Sequence, residues 1–471
     1  MVLDSIRNEF GVALFMKRSL ACLLTILGCS AFAVDLEQAY RDALENDPVL
    51  AGAIAANKVS GENLWSGISL LLPSVSASMN RGESDFERKR GSEDEEVPIF
   101  IQEGKSQNAG WSVSINQALF NAQAIFQFFA VRDQIKAADW ELIATEQTLV
   151  LRVAQAYLDV LQAQDSLESS VAAEEAVQRQ LEQVQQRFDV GLVAITDVLD
   201  ATASYDLAVV ETLSARSNHG IFFESLRTVT GVDYSELGKL TDELPIENPQ
   251  PIDEEEWVRA AMAGNPQIQA AKANWDAAKK SRQASMSYLL PTVRISGSQS
   301  YREDPLSVFT DQSTTTSVSL SASMPLFNGG RNLSQARSSA WQQERAKQLY
   351  IQSQLTVARD TRNLFRLVQR DVDRVSARYK SIQSSQAALE ATQTGYEVGT
   401  RNIVEVLQAQ QRLYSNVLAY ATSRYTYVLN GLRLKQTVGS LSAEDLQQLN
   451  QYIDATDTVT KITSASGKPS N

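Results

Sequence analysis

The stretch "QRFDVGLVAITDVLDA", residues 186–201, returns later in the chain as "TGYEVGTRNIVEVLQA", residues 394–409. Six of the sixteen positions are identical, and three more exchange only Phe for Tyr or Asp for Glu. Both copies contain a Val-Gly pair, with the glycines at Gly191 and Gly399. A glycine after a helix commonly takes the left-handed conformation that ends it, and here a second helical pattern starts within a few residues. The two stretches therefore predict two helical hairpins, each reversing the chain at one glycine turn.

The duplication extends over most of the chain. "ALENDPVLAG" at 43–52 matches "AMAGNPQIQA" at 261–270, and "LLPSVSAS" at 71–78 matches "LLPTVRIS" at 289–296, with an offset of 218 residues in both cases. The two glycine turns are offset by 208, so one insertion or deletion separates the copies. An internal repeat sets the architecture of the whole fold. We predict a first repeat at 34–245, a second repeat at 246–440 and a C-terminal segment with a flexible tail at 441–471.

The first 33 residues have the order of a secretory signal. A basic pair, an apolar run and the small residues of "AFA", ending at Ala33, follow one another as in a signal peptide and its cleavage site. We predict cleavage after Ala33 and a true start at Met16, because the residues before Met16 fit no part of that order. Both cysteines, Cys22 and Cys29, then leave with the signal, so the mature chain has neither disulfides nor thiolate metal sites. Lipidation at Cys29 is the competing interpretation, which the Leu two positions earlier fits poorly.

Four short segments alternate with period 2, which indicates strands with one apolar and one Ser-rich face. The apolar positions are Val75, Ala77, Met79, Trp111, Val113, Ile115, Val293, Ile295, Val318, Leu320, Ala322 and Met324. Such strands suit a half-buried sheet, and in a secreted chain they equally suit a membrane barrel. Four strands cannot close a barrel, because the smallest known barrels need about eight. If the strands form a barrel, several chains must share it.

The first copy has an insertion between its two strands. Residues 81–106, "RGESDFERKRGSEDEEVPIFIQEGKS", are highly charged and have no periodicity. Charged, aperiodic stretches between ordered segments indicate loops. We therefore predict an exposed loop at 81–106.

Two long stretches without proline, 121–189 and 330–394, predict single helices, each about 100 Å long at 1.5 Å per residue. Apolar residues in them follow heptad spacings, which are typical of coiled coils. These residues are Leu149, Val153, Ala156, Val160, Ala163 and Leu167 in the first copy, and Val357, Leu364, Val368 and Val375 in the second. Because one helix cannot bury such a seam alone, we predict a mainly α fold of long antiparallel coiled coils with a small β part.

The composition excludes several classes of function. The net charge of −13 argues against nucleic acid as the main partner. No nucleophile motif, Gly-rich phosphate loop or cluster of metal ligands occurs, so we predict neither an enzyme nor a cofactor. His219, the only histidine, has no Cys or acid at metal-ligand spacing, and we expect it on a helix surface or seam.

Both copies contain a Val-Gly turn motif, a helix that starts at Asp47-Pro48 or Asn265-Pro266, an "LLP" strand entry and an "LFN" strand exit. With these features the chain resembles the TolC family of outer-membrane efflux and type I secretion proteins. The resemblance covers the mature chain to about Leu449. It implies a homotrimer whose three sets of four strands form one twelve-stranded barrel in outer-membrane lipid. The long helices would continue it as an α-helical barrel across the periplasm. The short helices and the segment Ser442 to Ala455 would form a belt around its waist.

In this family the turns lie at the periplasmic tip, where inner and outer hairpins close the tunnel and open like an iris. The resemblance implies that Tyr396 and Arg401 of the inner hairpin bond residues of the outer hairpin in the same or a neighbouring chain. The implied partners are Gln186, Thr196 and Asp197. A contact between Arg401 and Asp197 would be a charge-assisted hydrogen bond, which is the strong type.

The aperture departs from the best-known family pattern. Where that pattern has two inward-facing aspartates one turn apart, this chain has Glu405 and Gln408, so a trimer would present three carboxylates rather than six. A further position of the lock, often Glu, is Gln393. On spacing alone, Asn402 and Glu405 also match a capping box, and Asp197 also suits a helix N-terminus.

The function predicted from these features is a passive trimeric exit duct for small molecules or proteins. The resemblance implies two partners, a periplasmic adaptor and an energised inner-membrane pump of the ABC, RND or MFS type. The alternative is a structural or adhesive coiled-coil trimer anchored at the surface. The duplicated glycine turns favour the duct, because a fibrous stalk needs neither a duplication nor a reversal of the chain.

Overall fold

The computed structural model describes residues 33–90, 100–241, 243–303 and 312–462. The predicted signal segment, with Met16 and both cysteines, lies outside these residues, as does the end of the C-terminal segment. Each repeat has the predicted order of helices, two strands, a long helix, a turn and a helix. The elements of the first repeat are α1 (Leu36–Asn46), α2 (Pro48–Ser69), β1 (Ser74–Arg90), β2 (Phe100–Phe120), α3 (Ala122–Asp189), α4 (Ile195–Thr230) and β3 (Glu236–Leu240). Those that follow are α5 (Glu254–Gly264), α6 (Pro266–Met286), β4 (Thr292–Glu303), β5 (Gln312–Ser323), α7 (Arg331–Glu397), α8 (Ile403–Val438), α9 (Ala443–Asn450) and β6 (Ile453–Thr460).

The starts of α2 and α6 show why the two copies fold alike. The Asp47 Oδ2 atom accepts a hydrogen bond from the Leu50 N–H at 2.8 Å, and the Asn265 Oδ1 atom accepts one from the Ile268 N–H at 3.0 Å. A proline follows each capping residue at the first helical position, where its fixed φ suits the helix and its missing N–H is not needed. The Asp-Pro and Asn-Pro pairs thus start equivalent helices in both repeats.

The long helices α3 and α7 contain 68 and 67 residues and are each about 100 Å long. All six predicted seam residues of α3, Leu149 to Leu167 at heptad spacing, are buried. In α7, Val357, Val368 and Val375 are buried and Leu364 is half-buried. Helix α3 packs against α4, and α7 packs against α8. These pairs are the predicted antiparallel hairpins, which we call the outer hairpin (α3 and α4) and the inner hairpin (α7 and α8).

The strands of both repeats join into one antiparallel sheet in the order β1-β2-β4-β5. Val75 pairs with Ile115 and Ala77 with Val113, so the predicted apolar positions share one face. The serines share the opposite face. The alternation therefore predicted correctly which residues share a face.

The predicted loop at 81–106 is wrong for 81–90 and 100–106, and its middle part, 91–99, lies outside the described residues. Strands β1 and β2 continue into it, with register pairs from Arg81 and Ala109 to Arg90 and Phe100. An antiparallel ladder satisfies backbone N–H and C=O groups whatever the side chains are, so a hairpin in water on both faces needs no apolar alternation. For that reason the charged, aperiodic sequence did not indicate strands.

A second, smaller sheet lies beside the middle of the long helices. Strand β3 pairs with β6, and Val34 at the start of the predicted mature chain bridges to Leu237. The Tyr157 hydroxyl of α3 lies 2.8 Å from the Gly238 carbonyl oxygen and 3.1 Å from that of Val34. The predicted segment Ser442 to Ala455 forms α9 and the start of β6. The largest apolar cluster lies at this level and joins α1, α3, α4, α8 and α9 to the small sheet.

None of the described helices is long and apolar enough to cross a membrane.

The two hairpin tips as candidate functional site

The tip of the outer hairpin is a turn held by its backbone. Gly191 has a φ of 77°, in the left-handed region that glycine tolerates. Its N–H donates to the Phe188 carbonyl oxygen at 2.8 Å, and the Leu192 N–H donates to the Arg187 carbonyl oxygen at 2.8 Å. Helix α4 then starts at an N-cap, Ala194, whose side chain cannot accept a hydrogen bond. The outer tip therefore has the glycine turn without a side-chain cap.

The tip of the inner hairpin has the same turn and several bonds more. Gly399 has a φ of 79°. The carbonyl oxygen of Gly395 accepts hydrogen bonds from the Thr400 N–H at 2.8 Å, the Arg401 N–H at 3.2 Å and the Thr400 hydroxyl at 3.0 Å. The Asn402 Oδ1 atom caps α8 by accepting from the Glu405 N–H at 2.9 Å. The inner tip is therefore fixed by side chains as well as by its backbone.

Arg401 and Glu405 form an ion pair within the inner tip. The distance between Arg401 Nη1 and Glu405 Oε2 is 2.6 Å, and the arginine side chain is 58% exposed. Because the Glu405 carboxylate binds Arg401, only the Asn402 half of the capping box noted in the sequence is formed. The pair offsets part of the negative charge predicted for the aperture.

Both tips pack on one apolar cluster. Val184 and Val198 of the outer hairpin and Ile403 and Val406 of the inner hairpin are buried together, with Tyr396 packed against them. The Tyr396 hydroxyl is buried and has no hydrogen-bond partner among the described residues. A buried hydroxyl without a partner is costly, so a movement of the tips that gave this atom a partner would be favoured.

The predicted lock residues lie at the two tips, but one chain does not join them all. Asp197 is half-buried and Thr196 and Gln186 are exposed, and the side chains of these three have no hydrogen bond within the described part of the chain. Arg401 is bound to Glu405 instead of Asp197. The bonds predicted between Arg401 or Tyr396 and the outer hairpin are therefore absent inside one chain, and those to a neighbouring copy stay a prediction.

The sequence interpretation missed a contact between Arg187 and Tyr396. The Arg187 guanidinium carbon lies 4.8 Å from the centre of the Tyr396 ring, within the range of a cation–π interaction. Arg187 belongs to the outer hairpin and Tyr396 to the inner one, so the pair connects them directly. Arg187 follows Gln186 directly in the sequence of the outer tip. No spacing rule relates it to the Tyr396 ring, which is about 200 residues away in the chain.

A groove of about 760 Å³ separates the hairpins beyond the apolar cluster. It lies between α3, α4 and α8, and apolar residues such as Val177, Leu207 and Leu418 line it together with small and polar ones. They include Ser166, Ser170, Ser204, Asp200, Glu211 and Gln411. The packing between the outer and inner hairpins is therefore open next to the tips.

Further from the tips, the inner hairpin contains a buried carboxylate. Asp371 is 1% exposed, and its Oδ2 atom accepts a hydrogen bond from Asn430 Nδ2 at 2.7 Å. Arg374 Nη2 lies 2.8 Å from Oδ1 as an ion pair, without the alignment of a hydrogen bond. The contact joins α7 to α8 at one depth, as polar residues in coiled-coil seams do when they select the register.

His219 is fully buried in the outer hairpin, which agrees with the predicted seam and not with a surface position. Its ring lies edge-on to Phe223, with centres 5.0 Å apart, and neither ring nitrogen has a hydrogen-bond partner. Burial lowers the pKa of His219, so the ring is neutral at physiological pH. No group of three His, Cys, Asp or Glu side chains within the described residues could hold a metal ion.

A family model, related sequences and solved structures all match most of this chain. The family model for the outer membrane efflux protein matches residues 39–232 and 257–440. The chain is 31% identical to the outer membrane protein TolC of Vibrio cholerae over 433 residues, which cover 91% of this chain and 95% of that protein. It is 25% identical to the alkaline protease secretion protein AprF of Pseudomonas aeruginosa, with coverage of 90% and 88%. The crystal structure of CusC, a protein described as undergoing transmembrane channel formation, aligns with a TM-score of 0.74 at 17% identity, covering 87% of this chain and 93% of that one.

Proposed function

The chain belongs to the outer membrane efflux protein family, and from this premise we propose that three copies form one gated duct through the outer membrane and the periplasm. Membership confirms the resemblance drawn from the sequence, the fold class and the location in the outer membrane. It also makes the protein an efflux or secretion channel rather than an enzyme. The assembly, the gate and the partners are the parts that we propose.

The open four-stranded sheet is the observation that supports the assembly. Its edge strands β1 and β5 have no further partner among the described residues, and its apolar face is exposed, with Met79 85% and Val318 77% accessible. A long sheet edge and an apolar face are unstable in water unless something covers them. The two edge strands run antiparallel, so β5 of one copy can pair with β1 of the next and continue the alternation. Three copies then close a barrel of twelve strands, with lipid on its apolar face.

The helices have complementary edges as well. Helices α2, α3, α6 and α7 follow one another in contact, so α2 and α7 are the ends of this row. Both ends expose large apolar side chains, including Val59 and Trp65 on α2 and Trp341 and Leu355 on α7. Contacts between two different surfaces of one chain produce a ring when the rotation closes. The α-helical barrel follows from the same rotation that closes the sheet.

The gate is proposed at the tips. Thr196, Asp197 and Gln186 of one outer hairpin accept or donate bonds to Tyr396 and Arg401 of an inner hairpin, and the neighbouring copy supplies the contacts that one chain lacks. The groove beside the tips supports this role, because loosely packed hairpins can separate. In the closed state Glu405 and Gln408 line the aperture.

The energy and the cargo come from other proteins in this proposal. An inner-membrane pump of the ABC, RND or MFS type delivers the cargo, and a periplasmic adaptor holds the pump to the tips. The names of the related proteins include both efflux and protease secretion, which supports small molecules and proteins as the two classes of cargo.

Planar-bilayer recording of the purified protein, combined with native mass spectrometry, tests the proposal. We expect a trimer that gives discrete, long-lived channels. Monomers, or a trimer that never conducts even after the tips are opened by Arg401→Ala, would contradict the duct. A trimer without conductance would instead favour the adhesive stalk.

A further inference from the structure

The polar face of the sheet is covered by hydroxyl groups that bind one another. Four pairs of serine Oγ atoms across adjacent strands are 2.8 Å apart. The pairs are Ser76 with Ser114, Ser78 with Ser112, Ser296 with Ser319, and Ser298 with Ser317. Because these hydroxyls satisfy each other, the wall is polar but neutral. Any charge on this face therefore dominates its electrostatic potential.

In the part of the sheet next to the helices and in its junction with them, the charged side chains are two arginines. They are Arg294 and Arg331, within the ranges 63–80, 109–131, 283–301 and 312–336. The distal ends of the strands carry further charges, such as Arg302 and Glu303 of β4. No Asp or Glu occurs in these ranges, although the whole chain has 56 acids and 43 bases. The charge of this part of the molecule is thus opposite to that of the whole.

Arg294 lies on the hydroxyl face of β4. It is opposite Ser321 of β5 and Ala118 of β2 in the register, so no acid faces it from either neighbouring strand. Ser296 and Thr292, two positions away on the same face, are also neutral. The side chain is exposed. A guanidinium keeps its charge at any physiological pH, and its fork of donors suits carboxylates and phosphates.

We propose that Arg294 makes the barrel of the duct selective for anions. The inference rests on the proposed trimer, in which the hydroxyl face lines the lumen and three copies place a ring of three guanidinium groups near the inner end of the barrel. Twelve strands spaced about 4.8 Å apart and tilted by about 40° give a backbone radius of roughly 12 Å. Arginine side chains reach several ångströms inward from that wall. Their field therefore covers the lumen at 0.1 M salt, where the screening length is about 10 Å.

The ligands that this ring attracts are anionic solutes, from chloride to carboxylates and phosphate esters. The tip has the opposite sign at Glu405, about 100 Å away along the helices. The duct then has a weakly acidic entrance and a basic exit, and the two act independently because their separation is many screening lengths. Cargo with negative groups is favoured in the outer half of the path.

Reversal potentials across a planar bilayer with a KCl gradient test the proposal. The background is the double variant Arg401→Gln with Glu405→Gln, which removes the carboxylate ring at the tip together with the arginine paired to it. In 0.1 M against 0.3 M KCl we expect the parent to prefer chloride, Arg294→Gln to lose this preference, and Arg294→Glu to prefer potassium. At about 1 M salt the differences should vanish, because the screening length falls to about 3 Å.

Arg81→Gln is the matched control, because Arg81 lies on the opposite face of β1, paired with Ala109. It removes the same charge from the outside of the barrel and should leave the reversal potential unchanged. Channels that conduct normally, with the same reversal potential in the parent, Arg294→Gln and Arg294→Glu, would overturn the anion ring and leave the duct intact. A protein that never conducts would overturn the duct itself, and the anion ring with it.

Discussion

The outer and inner hairpins come from the two copies of one sequence repeat. They share the backbone conformation of the glycine turn, but the side-chain hydrogen bonds around the turn differ. Gly191 and Gly399 have φ values of 77° and 79°, so the backbone reversal is the same. The inner tip adds an asparagine cap, bonds from Thr400, and the Arg401 to Glu405 ion pair. The outer tip adds none of these. The difference teaches that the inner tip is fixed within its own chain, whereas the outer tip leaves Thr196 and Asp197 available to a partner.

The middle parts of the hairpins also differ, and again the inner hairpin has the additional polar contact. The inner seam contains the buried pair Asp371 and Asn430, while the residue equivalent to Asn430 in the outer hairpin, 208 positions earlier, is Phe222. The outer seam instead buries His219 without a hydrogen bond. Polar pairing selects one register in the inner hairpin, and apolar packing allows the outer hairpin more freedom to adjust.

The largest effect is expected from Asn430→Leu. It removes the hydrogen-bond donor to Asp371 Oδ2 and leaves the ion pair with Arg374 as the remaining compensation of a buried carboxylate, at a cost of about 3 kcal/mol. Amide hydrogen exchange of α7 and α8 measures the local loss. The equivalent change in the outer hairpin, Phe222→Leu, exchanges apolar groups and should cost about 1 kcal/mol. Equal losses in both hairpins would contradict the distinction between a polar and an apolar seam.

The next effect concerns the lock between the tips. A charge-assisted bond between Arg401 and Asp197 of neighbouring copies is worth about 1.5–3 kcal/mol, so losing it shifts the balance of closed and open tips by about tenfold or more. We expect higher single-channel conductance in Arg401→Ala and in Asp197→Ala, and no further increase in the double variant. Asp189→Ala removes another acid of the outer tip and serves as the control. An effect of Arg401→Ala alone would mean that Arg401 acts only through Glu405.

The turn glycines should respond alike despite the different bonding around them. Alanine at Gly191 or Gly399 meets no atom within 4 Å, so its cost is that of a left-handed backbone, about 1–2 kcal/mol. The protection of the Leu192 and Thr400 amides against exchange reports each turn. Gly220→Ala, inside α4 and also without near contacts, should stabilise by about 0.5–1 kcal/mol. A much smaller loss at one turn would show that the two turns are not equivalent.

A smaller effect is expected from exchanging the caps. Ala194 and Asn402 are equivalent positions with extended backbones, and only Asn402 can accept a bond from the helix. Ala194→Asn should stabilise the start of α4 by about 1 kcal/mol, and Asn402→Ala should destabilise the start of α8 by a similar amount. Exchange of the first-turn amides measures both. No gain in Ala194→Asn would show that the missing cap does not limit the stability of the start of α4.

The smallest effect is the pH dependence of the outer hairpin. Burial lowers the pKa of His219 in the folded chain, while the unfolded residue titrates near 6.5. Its contribution to stability is therefore present above about pH 6.5 and is lost as the pH falls below that value. The protection of the α4 amides, measured relative to their intrinsic exchange rates at each pH, should fall there, and His219→Phe should remove the change. Helix α8 contains no histidine and is the internal reference.

Regular patterns predicted the elements well, because they reflect the local geometry of helices and strands. The heptads around Leu149 and Val357, the Pro48 and Pro266 helix starts, and the alternation around Val75 all appear as expected. The charged strand segments 81–90 and 100–106 were missed because an antiparallel ladder by itself imposes no alternation on its side chains. The bond between Arg187 and Tyr396 was missed because it depends on how two hairpins pack, and no local pattern records that.

The sequence by itself determined the duplicated hairpins, the two glycine turns, the strands with an apolar and a serine face, and the family. Each of these depends on spacings of a few residues, which the backbone translates directly into shape. Only the tertiary structure decided which distant side chains meet: Arg187 with Tyr396, Asn430 with Asp371, and Arg294 opposite Ser321 on a face without acids. Such contacts depend on the register between distant segments, and many registers satisfy the same apolar pattern until the whole chain packs.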